Sequence, residues 1–255
     1  MKFSSLGSGS KGNALLVAIG QTHVLMDCGF GLKEATTRLA RLGVMPDQLD
    51  GIVVTHEHGD HIGGVARLAR RFNLPVWITH GTLHSQQKKF SGISQINEIA
   101  PQHAFSIGDI EITPYPVPHD AVEPVQYVFS DGTRKLGVLT DAGCSTPHIK
   151  DMLSGCHALV LECNHDLDML MSSAYPYSLK QRISSRYGHL SNQEAAGILS
   201  SLDVNKLQHL IAAHLSLENN TPQLAVQALC DAMDCTQDWV SVATQADGFE
   251  WREIK

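Results

Sequence analysis

Short apolar, β-branched runs alternate along this chain with stretches whose apolar positions recur every three to four residues. Residues 15–19 and 24–26 read as strands, 33–42 as a helix, 52–54 as a strand and 65–72 as a helix, and 76–79 and 110–115 as further strands. The run 125–129 passes through Asp131-Gly132 into 136–140, a hairpin by its turn chemistry. Beyond the strand 158–161 the pattern becomes mostly helical. There Ser191 and Glu194 have capping-box spacing, Thr221-Pro222 supplies an N-cap and first helical position, and 210–213 is the strand between those helices. With no repeat or low-complexity linker to divide it, the chain is predicted to be one α/β domain, residues 1–255, of two sheets with helices outside.

Composition narrows the function classes. With 43% hydrophobic and 18% charged residues the chain can bury an ordinary globular core. No apolar run approaches membrane-spanning length and no apolar leader opens the sequence, so a cytoplasmic, membrane-free protein is expected. The six cysteines are scattered, which predicts reduced thiols rather than a disulfide framework. A net charge of −7 argues against a broad surface for tracking nucleic acid, so any polyanion must meet a local patch. Histidine is the outlier, at 14 residues.

Much of that excess sits just past the predicted strand 52–54, in Thr55-His56-Glu57-His58-Gly59-Asp60-His61. Imidazoles and carboxylates at this spacing make a metal nest: His56 and His58 can face one ion while Asp60 and His61 face another. Mixed imidazole and carboxylate ligation suits zinc, manganese or iron. Paired divalent ions activate water and offset charge on a phosphorus or carbon centre, which points to hydrolysis.

The His-x-His-x-Asp-His segment, followed in order by His119, Asp141 and His214, resembles the metallo-β-lactamase-fold superfamily. The resemblance implies a four-layer αββα sandwich. It also implies that His56, His58 and His119 hold one metal and Asp60, His61 and His214 a second, with Asp141 bridging them. Asp60 and Asp141 would then orient the attacking water. An aspartate at 141 is unlike the cysteine of typical β-lactamases of this fold, and His119-Asp120-Ala121-Val122-Glu123-Pro124 is unlike the His-Thr-Pro-Gly-His of glyoxalase II-like thioesterases.

Five segments together look like the YycJ/WalJ-like branch: 8–13 (SGSKGN), 119–124, 162–166 (ECNHD), 188–192 (GHLSN) and 214–222. That branch implies a metal-dependent 5′-to-3′ exonuclease acting on DNA, on single strands or 5′ ends. A small-molecule hydrolase is the alternative, either a cyclic phosphodiesterase or a thioesterase, and a ligand sensor without turnover is a more distant rival. For substrate contact the candidates are Ser8, Ser10 and Asn13, whose glycine-rich loop can aim amides and hydroxyls at an anion. His189 is a further one, similar to a phosphate-contacting histidine of the β-CASP nucleases and able to protonate a leaving alcohol. Arg182 and Arg186, expected on one helical face, are candidates for a DNA backbone. The interval from Asp141 to His214 is too short for the inserted domain of the β-CASP enzymes. Oligomeric state is not legible.

Overall fold

In the computed structural model, which describes residues 1–255, fourteen strands and ten α-helices follow one another along the chain. The strands are β1 (Lys2–Gly7), β2 (Ala14–Ile19), β3 (Thr22–Met26), β4 (Gly51–Val53), β5 (Val76–Thr79), β6 (Ile96–Ile99), β7 (Phe105–Ile107), β8 (Ile110–Pro116), β9 (Val125–Ser130), β10 (Lys135–Leu139), β11 (Ala158–Glu162), β12 (His209–Ala213), β13 (Val240–Val242) and β14 (Phe249–Glu253). The helices are α1 (Leu32–Arg41), α2 (Gly59–Ile62), α3 (Val65–Phe72), α4 (His80–Ser85), α5 (Gln87–Phe90), α6 (Pro147–Leu153), α7 (Leu167–Ser172), α8 (Tyr177–Ile183), α9 (Asn192–Leu199) and α10 (Pro222–Met233).

Two seven-stranded sheets result, in the orders β14-β1-β2-β3-β4-β5-β6 and β13-β12-β11-β10-β9-β8-β7. Each is antiparallel at one end and parallel at the other, through β3-β4-β5-β6 and β10-β11-β12-β13. The period-2 alternation of side chains explains the layers. Val24, Met26 and Val53 point into the space between the sheets, while Leu25 and Ile52 point outward under α1 and α3. In the second sheet Ala158, Val160 and Ile211 face the first, while Leu159, Leu161 and Leu210 face α6, α9 and α10. Strands apolar on both faces need cover on both, and three stacked cores supply it, giving the αββα order expected. No helix is long and apolar enough to cross a membrane.

The structure departs from the sequence reading mainly in strands at or next to the sheet edges. β1 lies before the first predicted strand, and β13 and β14 fall in the part expected to be mostly helical. Their sequences carry weak strand signals. β1 holds Ser4 and Ser5, buried because their hydroxyls donate to the carbonyls of Phe249 and Ala14. β14 returns to the first sheet and pairs antiparallel with β1, in the register Lys2↔Glu253. The turn before it reaches the Gly-Ser loop: Ser8 N–H donates to the Thr244 carbonyl (3.0 Å), and Gln245 Nε2 donates to Gly12 O (2.8 Å).

Candidate metal centre

The residues of the site stand at strand ends: Asp27 after β3, Thr55 and His56 after β4, Asp141 after β10, Glu162 at the end of β11 and His214 after β12. In open α/β sheets these carboxyl ends are where groups can project without breaking the ladder. Asp27, Asp141 and His214 all take left-handed backbone, with φ of 59°, 52° and 56°. Three such non-glycine residues at one place mark a constrained turn geometry that swings each side chain inward from its strand.

After β4 the chain turns into α2, with His58 as its N-cap residue and Asp60 and His61 in its single turn. Gly29 makes this possible: a Cβ there would stand 1.9 Å from the carbonyl oxygen of Asp60. His56, His58 and His119 converge, with His58 Nδ1 and His119 Nε2 3.2 Å apart. Asp60, His61 and His214 form a second group, in which Asp60 Oδ2 lies 3.6 Å from the Nε2 atoms of both histidines. Asp141 lies between them, 3.0 Å from His61 Nε2 through Oδ2 and 3.9 Å from His119 Nε2 through Oδ1. All seven residues expected as ligands are therefore brought together.

The chemistry of this cluster fits divalent cations. His56 Nε2 and His214 Nε2 are buried and make no hydrogen bond, an arrangement that leaves uncompensated polar atoms in the core unless a cation meets them. Meanwhile the far nitrogen of each buried ring is engaged. Thr55 Oγ1 lies 2.9 Å from His56 Nδ1, Asp27 Oδ2 2.8 Å from His61 Nδ1, the Gly188 carbonyl 3.0 Å from His119 Nδ1 and Glu162 Oε1 3.2 Å from His214 Nδ1. Such contacts fix the tautomer and ring orientation, leaving the lone pair at the facing nitrogen.

Titration follows the same map. Burial, helped by the neighbouring His61, pushes His56 well below the usual imidazole range, and burial likewise lowers His119. For His61 burial is outweighed by Asp141 and Asp27, which raise it well above that range. Burial is also outweighed at His214, held at about 10 by Asp141 with Asp60 and Glu162. Against its own burial, Asp141 is held well below the carboxylate range by His214 and His61, and Glu162 is held at about 2 by His189 and His214.

Asp27 and Glu162 are the site residues that sequence reasoning missed. Asp27 is 1% exposed and also accepts from Thr55 N–H and Oγ1–H. Glu162 is fully buried and accepts from the Ala142 and Leu190 amides as well as from His189 Nδ1, at 2.8 Å. The one available signal was a carboxylate directly ending an apolar strand run, in Leu25-Met26-Asp27 and Val160-Leu161-Glu162.

The expected substrate residues divide. Ser8 Oγ accepts from the His214 amide at 2.9 Å. Asn13 Oδ1 accepts from Gly9 N–H, and its Nδ2 stands 3.2 Å from Asp60 Oδ2 and 3.1 Å from His61 Nε2. Both are buried and brace the second group from below, whereas Ser10 is exposed at the rim. His189 stands beside Asp141 (3.6 Å) with a quarter of its side chain open. α8 ends at Ile183, so Arg186 lies in the turn beyond it and does not share a helical face with Arg182. Instead Arg182 Nε donates to Asp120 Oδ2 at 2.6 Å. His165 is buried behind Glu162 and His189, its main chain bridged to Ser191.

A family model described as the beta-lactamase superfamily domain matches residues 22–214. The chain is 37% identical over 238 residues to the exodeoxyribonuclease YycJ of Bacillus anthracis, covering 92% of this chain and 89% of that protein. It is 35% identical to the exodeoxyribonuclease WalJ of Streptococcus pneumoniae serotype 2, covering 88% and 85%. Among solved structures, the metallo-beta-lactamase fold protein YhfI from Bacillus subtilis superposes with a TM-score of 0.76 over 98% of each chain, at 18% identity.

Proposed function

The chain belongs to the beta-lactamase superfamily, and on that premise we propose that it is a metal-dependent nuclease that hydrolyses DNA phosphodiesters from 5′ ends. The observation that carries this is the coincidence of near full-length similarity to named exodeoxyribonucleases with a cluster of seven ligand-type side chains in two groups sharing Asp141. In this reading His56, His58 and His119 hold one divalent ion and Asp60, His61 and His214 the other, with Asp141 serving both; zinc and manganese suit these donors. Ions held there make water nucleophilic at neutral pH and offset charge gathering on the phosphate.

The chain's own groups do the rest. Asp27, Thr55, Glu162 and the Gly188 carbonyl keep four imidazoles turned so that one nitrogen of each faces the centre. Asp60 and Asp141 orient the attacking water through their carboxylates. His189 has Nδ1 tied to Glu162, which leaves Nε2 directed at the open side. Against burial, Glu162 and Asp141 raise the affinity of His189 for its proton. A proton at Nε2 can then contact a phosphoryl oxygen or pass to the departing alcohol.

The test is digestion of 5′-labelled and 3′-labelled single-stranded DNA with manganese or zinc added, beside an Asp60→Ala control and bis-p-nitrophenyl phosphate. Early release of the 5′ label as mononucleotide, lost in the variant, is expected. Cleavage of the small diester with DNA untouched would move the protein to the small-molecule phosphodiesterases. No cleavage of either would overturn the reading.

A further inference from the structure

Beside His189 a cleft of about 290 Å³ runs between α8 and the Gly-Ser loop, lined by Ser10, Asp120, Tyr175, Leu179, Arg182 and Ile183. Its lining mixes apolar and polar groups. Leu179 and Ile183, one helical turn apart, line it with Tyr175 and remain half-exposed, because α8 buries none of its residues against the body of the protein. The Ser10 hydroxyl, the Asp120 carboxylate and His189 line it as well. Arg182 is the lone lysine or arginine of the lining. Its side chain is 61% exposed, and Asp120 holds it through a single N–H, leaving the rest of the guanidinium fork open.

We propose that this cleft is a subsite for one nucleoside 5′-monophosphate unit, with Arg182 as the phosphate contact and Tyr175, Leu179 and Ile183 as the surface on which the base and sugar pack. It deepens the nuclease reading above and rests on it. The volume is that of a small-ligand pocket, near the lower end (roughly 300 Å³) of their usual range, so it takes one unit rather than a strand. A planar guanidinium matches phosphate oxygens two at a time, and with Asp120 on Nε the two terminal nitrogens remain to meet them. Packing of Tyr175, Leu179 and Ile183 against a base face is tolerant of sequence. A −7 protein that must bind a polyanion needs such a local cation, and Arg182 lines the same cleft as His189.

The experiment is calorimetric titration of the metal-loaded protein with thymidine 5′-monophosphate, deoxyadenosine 5′-monophosphate and thymidine, repeated with Arg182→Ala, Arg182→Lys and Tyr175→Ala. The wild type is expected to bind the two monophosphates alike and about tenfold or more tighter than thymidine, the increment of one charge-assisted phosphate contact. Arg182→Ala should remove most of that increment and Arg182→Lys restore part of it. Tyr175→Ala should weaken nucleotide and nucleoside together. Equal binding of nucleotide and nucleoside by the wild type, or an increment that survives in Arg182→Ala, would overturn the proposal. A protein that cuts no DNA yet shows Arg182-dependent nucleotide binding has the subsite without the nuclease activity. Trimming of DNA with binding indifferent to Arg182 is the converse failure.

Discussion

Asp27 and Glu162 are carboxylates placed where ionised groups are costly, each answered by a histidine nitrogen that does not face the metal centre. Their role is to set which nitrogen of His61 and His214 carries the proton. Asp27→Asn keeps the volume but weakens the acceptor, and a loss of metal affinity of roughly 10- to 100-fold is expected, in line with other outer partners of metal-binding histidines. Competition against a chromogenic chelator reads this directly, and an unchanged affinity would remove Asp27 from the site. The facing residues were legible in the sequence because His56, His58, Asp60 and His61 crowd into one short loop, where local spacing alone implies convergence. Asp27 was not, because it meets its partner across 34 positions of chain, and no local pattern encodes that contact. Ser8 and Asn13 were legible as site residues but not as braces, since hydroxyls and amides read the same whether they face a ligand or the protein.

Elements that are apolar on both faces announced themselves: β2, β3, β4, β11 and β12 fall within a residue or two of the predicted runs. The edge strands β13 and β14, and β1 beside β14, did not, because they need fewer apolar positions and satisfy polar ones through long-range bonds such as Ser4 to Phe249. α9 was legible from its start, where Ser191 Oγ accepts from Glu194 N–H and the Glu194 carboxylate accepts from Ser191 N–H. This cap follows the Gly188-His189 turn directly, so it anchors the element that presents His189. Ser191→Ala is expected to cost about 1 kcal/mol and to lower Tm by roughly 2–4 °C for a protein of this size. A thermal melt that does not move would show that the turn holds α9 without the cap.

Across the whole molecule, protons and metal compete for one cluster. Without metal, Asp141 together with Asp27 and Glu162 outweighs burial and raises the proton affinity of His61 and His214, to about 10 for His214. Their contribution to folding is full below the unfolded value near 6.5 and fades as pH rises toward the folded value, about 10 for His214. Ligation requires those protons to leave, so metal affinity rises with pH over the same window. The Tm difference between metal-loaded and chelator-treated protein should therefore widen from pH 6 to pH 8, and a constant or shrinking gap would mean that these histidines do not ligate. The first sheet is completed from far along the chain, since β14 is the neighbour that covers β1 and the turn before it supports the Gly-Ser loop. On a ribosome adding roughly 5–20 residues each second, β1 emerges first and waits tens of seconds with one edge bare until β14 follows. A nascent chain can thus assemble β1 to β6 of its first sheet early, yet it remains inert and prone to mispairing at β1 until β14 is delivered.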